Sequence, residues 1–211
     1  KKRRPVIIKK NSRFSDIIKK LDSRITILPE VDSLGRIVSV IKLTDYYSEQ
    51  NIKSRQVIIY GLGYVGLTLG LIMAETGFSV TGVERDKFKA KRIKNKKTPF
   101  FETGIKNYLE DNIGNNLKIR TSVSNVNGDI HIISVGTPVD IKTKKINFKP
   151  IKNVCNTISK ILKKNDIVIL RSTVEIGTTR NIVLPILKKS GLNPGSDFYL
   201  SFCPERTIEG Q

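Results

Sequence analysis

Val57-Ile58-Ile59-Tyr60-Gly61-Leu62-Gly63-Tyr64-Val65-Gly66 runs an apolar, largely β-branched segment straight into G-x-G-x-x-G. A helix-like pattern continues through Thr76, and Ser79-Val80-Thr81-Gly82-Val83 reads as a second strand ending on Glu84. That acid lies about twenty residues beyond the glycines, the spacing of a dinucleotide-binding βαβ unit. Gly61 allows a tight turn, Gly63 lets backbone approach a pyrophosphate, and Gly66 lets the helix pack close to the strand. The helix N-terminus then offers N–H groups and a positive dipole end to phosphates. Glu84 is placed to accept hydrogen bonds from ribose hydroxyls. A lone G-x-G-x-x-G is weak evidence; strand, glycines, helix, strand and terminal acid in this order specify a nucleotide-binding unit.

Downstream the chain keeps alternating strand and helix. Helices are predicted over 87–94 and 105–112, the second preceded by Thr98-Pro99-Phe100-Phe101-Glu102-Thr103-Gly104. Strands are predicted at 117–121, 129–135, 166–170 and 198–202, with helices over about 149–162 and 178–189. Together with the first two, these strands make a six-stranded sheet, and right-handed helical crossovers make it parallel and doubly wound. The fold class is therefore α/β, of the Rossmann type.

Residues 1–53 read as a separate, small α+β unit, and residues 54–211 as the nucleotide-binding domain, with polar Ser48 to Arg55 as linker. The unit contains a short strand, Pro5-Val6-Ile7-Ile8, an amphipathic helix from Arg13 to Leu21, and strands Ile25–Asp32 and Arg36–Ile41 joined by Ser33-Leu34-Gly35. Leu43-Thr44-Asp45-Tyr46-Tyr47 opens a last helix. The run L-P-E-V-D-S-L-G-R-I-V-S-V-I-K-L-T-D resembles a cystathionine-β-synthase (CBS) motif. Such motifs pack in pairs, and one copy is present, so a small appendage without a ligand is the other reading.

The chain has 211 residues and 38% apolar content, which supports a sizeable core. No apolar run approaches the roughly 20 residues that span a bilayer, so no membrane partner is expected. Lys1-Lys2-Arg3-Arg4-Pro5 lacks an initiator Met and leads into no signal-peptide core, as in a chain cut from something longer. The net charge of +19 raises the question of nucleic acid. The lysines read as scattered through helices and turns, and no helix-turn-helix, zinc-finger or aromatic RNA-reading signature is present; no nucleic-acid partner is expected. A basic surface also suits an anionic small-molecule substrate. Cys155 and Cys203 lie far apart and make no metal or redox spacing, which points to a reducing, cytoplasmic setting and no metal site.

In doubly wound sheets ligands sit at the carboxyl ends of strands. Here the fourth strand runs into Gly136-Thr137-Pro138, the fifth into Arg171-Ser172-Thr173, and the sixth into Cys203-Pro204-Glu205-Arg206-Thr207-Ile208-Glu209-Gly210. Hydroxyls, an arginine and two carboxylates converge on one rim. Taken singly, such Ser, Thr and Pro residues serve as caps and turn formers.

G-L-G-Y-V-G-L, V-G-T-P, R-S-T-V-E-I-G-T-T and C-P-E-R-T-I-E-G, in this order, resemble the nucleotide-sugar 6-dehydrogenases, which oxidise UDP-glucose, GDP-mannose or UDP-N-acetylmannosamine. The resemblance covers residues 56–211 and the family's NAD-binding domain; P-E-R-T, in place of P-E-F-L, resembles the UDP-N-acetylmannosamine branch. It implies NAD as cofactor, bound by Gly61, Gly63, Tyr64, Val65 and Gly66, by Glu84 on the adenosine ribose, by Lys89, by Thr137 and Thr173 on the nicotinamide side, and by Glu209. It implies Thr173 and Glu205 as catalytic residues, with Glu205 assisting proton transfers at the reacting carbon, and Arg206 and Thr207 on a UDP-sugar substrate. Glu84-Arg85 departs from the Asp and apolar residue that many members carry.

The reaction so implied oxidises a sugar C6 alcohol to a carboxylate with two NAD, in a homo-oligomeric full-length enzyme that supplies polysaccharide precursors. The aldehyde is trapped on a cysteine of a G-G-x-C-x-P-x-D-type motif and leaves as a hydrolysed thioester. No such string occurs here; Cys203 belongs to another motif, and Cys155 reads as helix core. The chain by itself is therefore expected to be inactive. His131, the one histidine, sits mid-strand and reads as structural. A different reading is a non-catalytic NAD- or nucleotide-sensing module regulated through the CBS-like unit. Another is an NAD-dependent hydroxy-acid dehydrogenase, which would need a catalytic His or Lys at a strand end.

Overall fold

A computed structural model describes residues 7–9, 27–42, 55–100, 102, 104–123 and 126–205. The chain divides into two compact units, residues 1–52 and 53–211. In the first, β1 (Ile8–Lys9) runs parallel to β2 (Ile27–Val31), which pairs antiparallel with β3 (Ile37–Lys42). The hairpin turn is made by Asp32, whose carboxylate accepts from the backbone N–H of Leu34 and of Arg36 at 2.9 Å each and pairs with the Arg36 guanidinium. An aspartate that bonds its own backbone two residues on is a turn former in its own right. The first strand lies at Ile8–Lys9, with Pro5 and Val6 outside the described residues. The helices expected at 13–21 and 43–47 also lie outside them.

The second unit is a six-stranded, wholly parallel sheet. Its strands are β4 (Gln56–Tyr60), β5 (Ser79–Val83), β6 (Leu117–Arg120), β7 (Ile130–Ile133), β8 (Ile167–Leu170) and β9 (Tyr199–Phe202), in the spatial order β6-β5-β4-β7-β8-β9. The strand order reverses between β4 and β7, which places a crevice at their carboxyl ends. Side chains alternate across β4: Val57 and Ile59 enter one core layer with Leu67, Leu71, Ile93 and Leu109. Ile58 and Tyr60 enter the other, with Ile133, Ile151, Ile158 and Phe198. Burial on both faces is why β4 and β7 read as near-continuous apolar runs. Each fully buried Ile or Leu contributes about 1.5–3 kcal/mol.

Local chemistry sets where helices start and stop. Helix α1 (Tyr64–Glu75) follows the glycine turn. Helix α2 (Lys87–Lys94) starts where it does because the Asp86 carboxylate accepts from Phe88 N–H and Lys89 N–H. Helix α3 (Ile105–Asn112) begins after Gly104, which has φ of 79°. Helix α4 (Lys149–Ile161) carries Pro150 in its first turn and buries Ile151, Cys155 and Ile158, one face at i, i+4 and i+7. The helix expected over 178–189 is present as one uninterrupted run whose hydrogen bonding changes along it: a π-type turn at Thr179–Val183, α5 (Leu184–Leu187) and a 3₁₀ turn at Lys188–Ser190. Pro185 explains this, since it lacks the N–H that would bond the Asn181 carbonyl and its ring would collide with that group. The even scatter of lysines is also not what the sequence delivers: eight of the thirteen residues from Arg85 to Lys97 are Lys or Arg, on α2 and its flanks.

His131 is fully buried in β7, with Nδ1 3.0 Å from the Tyr60 hydroxyl and Nε2 3.5 Å from the buried Asp166 carboxylate. Burial, together with the nearby Asp166 charge, pushes the Tyr60 phenol above its ordinary range. The ring thus partners the Tyr60 hydroxyl on β4, while the Asp166 carboxylate just before β8 already accepts from the Lys163 N–H at 2.8 Å. His131→Leu is expected to destabilise the domain by about 1–3 kcal/mol, the cost of leaving the buried Tyr60 hydroxyl unsatisfied, with dinucleotide affinity unchanged. Urea unfolding beside a binding titration checks this, and lost affinity at full stability would contradict a structural role.

Candidate dinucleotide site and strand-end rim

The three glycines of the fingerprint do different things. Gly61 has φ of 90°, and a Cβ there would lie 2.8 Å from the Ser134 carbonyl oxygen on the loop after β7. A Cβ on Gly66 would stand 1.9 Å from the Gly61 carbonyl oxygen, so the first turn of α1 could not close onto β4. Gly63 differs: its φ of −67° suits any residue, and a Cβ there would meet nothing within 4 Å. Neither backbone conformation nor packing requires glycine at 63. Its bareness leaves open space at the start of α1, whose N-terminus carries no side-chain cap. Such a position favours an anion.

Glu84, at the end of β5, is buried beside this turn. One carboxylate oxygen accepts from Leu62 N–H at 3.2 Å and lies 3.4 Å from Lys89 Nζ; the other accepts from Asp86 N–H at 3.1 Å. The side chain is held by the glycine turn on one side and the start of α2 on the other, with lone pairs to spare for hydroxyl donors. Two contributors escaped the sequence reading. A Cβ on Gly82 would lie 2.8 Å from Leu62 Cδ2, so a bare position in β5 admits the Leu62 side chain. A glycine inside a strand was the available signal. Asp86, directly before a helical run, was the other, as the cap that fixes α2.

Tyr64 opens α1. Its hydroxyl donates to Glu102 at 2.8 Å and its ring meets Phe100 edge-on at 5.1 Å between centroids, which fastens the segment before α3 over the helix start. A cavity of about 260 Å³ is lined by Tyr64, Thr68, Leu71, Glu102, Tyr108 and Glu205, among others. Val65, the next fingerprint residue, is half-buried in the first turn of α1.

On the other side of β4, the ends of β7, β8 and β9 are tied together. The Thr137 hydroxyl donates to the Thr173 carbonyl at 2.9 Å, and the Ser172 hydroxyl donates to the Val135 carbonyl at 2.6 Å. The Arg171 guanidinium pairs with the Glu205 carboxylate and lies 3.4 Å from the Cys203 carbonyl oxygen and 3.6 Å from its sulfur. Among the described residues, Thr137 meets Thr173 and Arg171 meets Glu205, while Glu84 and Lys89 form a separate group beyond the glycine turn. Arg206, Thr207 and Glu209 lie outside the described residues. Burial pushes the Cys155 thiol up to about 12, which fits core packing and not nucleophilic chemistry. No group of three or more His, Cys, Asp or Glu residues suited to a metal ion occurs among the described residues.

A parallel sheet with this switch point, a bare anion-facing turn and a fixed acid on the neighbouring strand defines a dinucleotide-binding Rossmann domain of the dehydrogenase kind. Residues 55–211 match the UDP-glucose/GDP-mannose dehydrogenase family, NAD binding domain. The chain is 33% identical over 158 residues to UDP-N-acetyl-D-mannosamine dehydrogenase of Methanococcus aeolicus, covering 74% of this chain and 35% of that protein. It is 33% identical over 157 residues to GDP-mannose 6-dehydrogenase of Pseudomonas putida, covering 71% and 36%. Among solved structures, a ternary complex of GDP-mannose dehydrogenase from Pseudomonas aeruginosa superposes with a TM-score of 0.68 at 31% identity, over 72% of this chain and 36% of that one. The chain thus belongs to the UDP-glucose/GDP-mannose dehydrogenase family, and residues 55–211 are its NAD-binding domain. It spans about a third of the length of these relatives.

Gly63 and Gly66 separate folding from binding. Gly63→Ala is expected to keep the stability of the unchanged chain while NAD affinity falls at least tenfold, or about 1.4 kcal/mol, since the new methyl meets only ligand space. Gly66→Ala should lower both, because its methyl overlaps the Gly61 carbonyl. Thermal unfolding with calorimetric titration checks the pair; full NAD affinity in Gly63→Ala would remove the assignment of that space.

Proposed function

We propose that these residues serve as the NAD-binding part of a nucleotide-sugar 6-dehydrogenase acting on a UDP-sugar, and, on the P-E-R-T sequence at 204–207, of the UDP-N-acetylmannosamine branch. The observation that carries this reading is the open space at Gly63 beside a Glu84 carboxylate already held in place. Residues 54–211 carry the function, and residues 1–53 form a separate, CBS-like appendage.

When bound, NAD supplies the acceptor for the hydride leaving the sugar carbon. The chain's own residues bind and orient. The backbone at Gly61, Gly63, Tyr64, Val65 and Gly66 receives the pyrophosphate. Glu84 takes the adenosine hydroxyls while Lys89 stays on the carboxylate oxygen it already faces. Thr137 and Thr173, linked side chain to backbone, form the wall on the nicotinamide side, with Glu209 reaching the cofactor from the last segment. Glu205 receives the proton of the reacting hydroxyl, directly or through a water, and Arg171 holds it at the rim. Arg206 and Thr207 face the sugar nucleotide.

NAD is favoured over NADP. A 2′-phosphate would come against the Glu84 carboxylate, and like charges about 4 Å apart repel by roughly 1 to 4 kcal/mol at effective dielectrics of 80 to 20. At least about fivefold tighter NAD binding is expected by calorimetry. In Glu84→Ser the preference should shrink, because Lys89 is then released to pair with the phosphate beside Arg85; equal or tighter NADP binding by the unchanged chain would sink the assignment.

The chain of 211 residues is further expected to bind NAD without completing the oxidation. Its two cysteines are a buried core thiol and one at the end of β9 beside Arg171, and neither lies in the motif that holds the family's thiolate. Absorbance at the NADH band with UDP-N-acetylmannosamine, UDP-glucose and GDP-mannose checks this. Two NADH formed per sugar, abolished by Cys203→Ser, would show that Cys203 is the nucleophile after all.

A further inference from the structure

The cations between Arg85 and Lys97 do not dissolve into a uniformly basic surface. Lys87, Lys91 and Lys94 fall at i, i+4 and i+7 and share one exposed stripe of α2, while Ala90 and Ile93, next to it round the helix, are buried and anchor the helix to the sheet, leaving Phe88 and Arg92 on the side facing away. Helix α2 packs on the Leu117 and Ile119 face of the edge strand β6, so the exposed Lys118 and Arg120 point to the other face of the sheet and lie apart from this stripe. Lys87, Lys91, Lys94 and Lys97 make no ion pair among the described residues. The nearby acids are spoken for: Asp86 caps α2, Glu84 is held by two backbone N–H groups and Lys89, and Glu110 pairs with Lys106.

Within these charges stands Phe88, 87% exposed, with Lys91 and Arg92 at i+3 and i+4 on the same side of the helix. An aromatic ring standing out among cations on a helix anchored from its other side combines an apolar tip with a basic surround. We infer that this exposed side of α2 docks on an anionic lipid surface, Phe88 entering the headgroup boundary while the flanking lysines meet the lipid phosphates. Basic residues beside an aromatic are the composition of interfacial segments. Single-stranded nucleic acid is the other polyanion such charges attract, but it is held by stacking successive bases on several aromatics, and this face presents one. The contact works at the membrane surface: no helix among the described residues is long and apolar enough to cross a bilayer.

The protein has no tryptophan, so Phe88→Trp creates a single fluorescent reporter at the point of contact. The full chain carrying it is titrated with vesicles of phosphatidylcholine alone and of phosphatidylcholine mixed equally with phosphatidylglycerol. A blue shift of the emission is expected with the anionic vesicles only, weakening as salt is raised. Adding Lys87→Glu, Lys91→Glu and Lys94→Glu should weaken partition at least about 100-fold, since each lysine near an anionic surface is worth about a factor of five. Phe88→Ser, which keeps every charge and alters an exposed side chain, should lower co-sedimentation with the same vesicles several-fold. No shift with anionic vesicles at low salt, or an equal shift with neutral ones, overturns the inference. Quenching by a single-stranded oligonucleotide without any vesicle response would assign the face to nucleic acid instead.

Discussion

Helix α1 can begin directly behind β4 only because the first and third glycines let two backbones nearly touch. The 1.9 Å that would separate a Gly66 methyl from the Gly61 oxygen measures how little room there is. From that contact follows the position of the helix N-terminus at the sheet's switch point, and from that position the open space at Gly63. Packing this close is bought with backbone entropy, which glycine loses more of than any other residue on folding. The surrounding core layers, with Ile58, Ile59, Leu67 and Leu71 wholly or almost wholly buried, offset it.

The second constraint is electrostatic. Carboxylates at the strand ends are tied down by the protein's own donors: Glu84 by Leu62, Asp86 and Lys89, and Glu205 by Arg171. Each keeps a fixed direction in a chain that carries net charge +19. Fixed acceptors need little reorganisation when a ligand's hydroxyls arrive, which is how a site gains affinity from preorganisation. At the amino ends of the strands Asp129 plays a matching structural part. Its partial burial acts against ionisation, but the Gln56 N–H and the Lys163 ammonium outweigh this and hold its carboxyl below the usual range. Its stabilising effect is therefore present above about pH 4 and fades as pH falls through the lowered value.

Much of this was legible in the residues. The apolar run at 57–60, the glycine spacing and the acid at 84 specified the βαβ unit, and the remaining strands followed in the positions and parallel order expected. The rim segments at 136–138, 171–173 and 203–205 could be named because strand ends carry the chemistry in such sheets, while Thr137, Thr173 and Glu205 were singled out within them by the family resemblance. What could not be read is pairwise. Nothing local in sequence says that Leu62 fills the space left by Gly82, that Arg171 turns to Glu205, or that the helix around Pro185 runs on with altered hydrogen bonding. Each depends on residues brought together by tertiary packing, or on a choice between kinking and ending that periodicity does not settle. The concentration of lysine on α2 was hidden by a composition rich in lysine throughout, and became visible once Ala90 and Ile93 showed which side faces inward.

The central claim is that the Gly63 space and the Glu84 carboxylate form one cradle for NAD. A crystal structure of the chain with NAD tests it most directly. The account predicts the pyrophosphate against the first turn of α1 at Gly63 and the adenosine ribose within hydrogen-bond distance of Glu84, with the Leu62–Glu84 and Lys89–Glu84 contacts intact. NAD bound elsewhere, or an adenosine ribose turned away from Glu84, would contradict it.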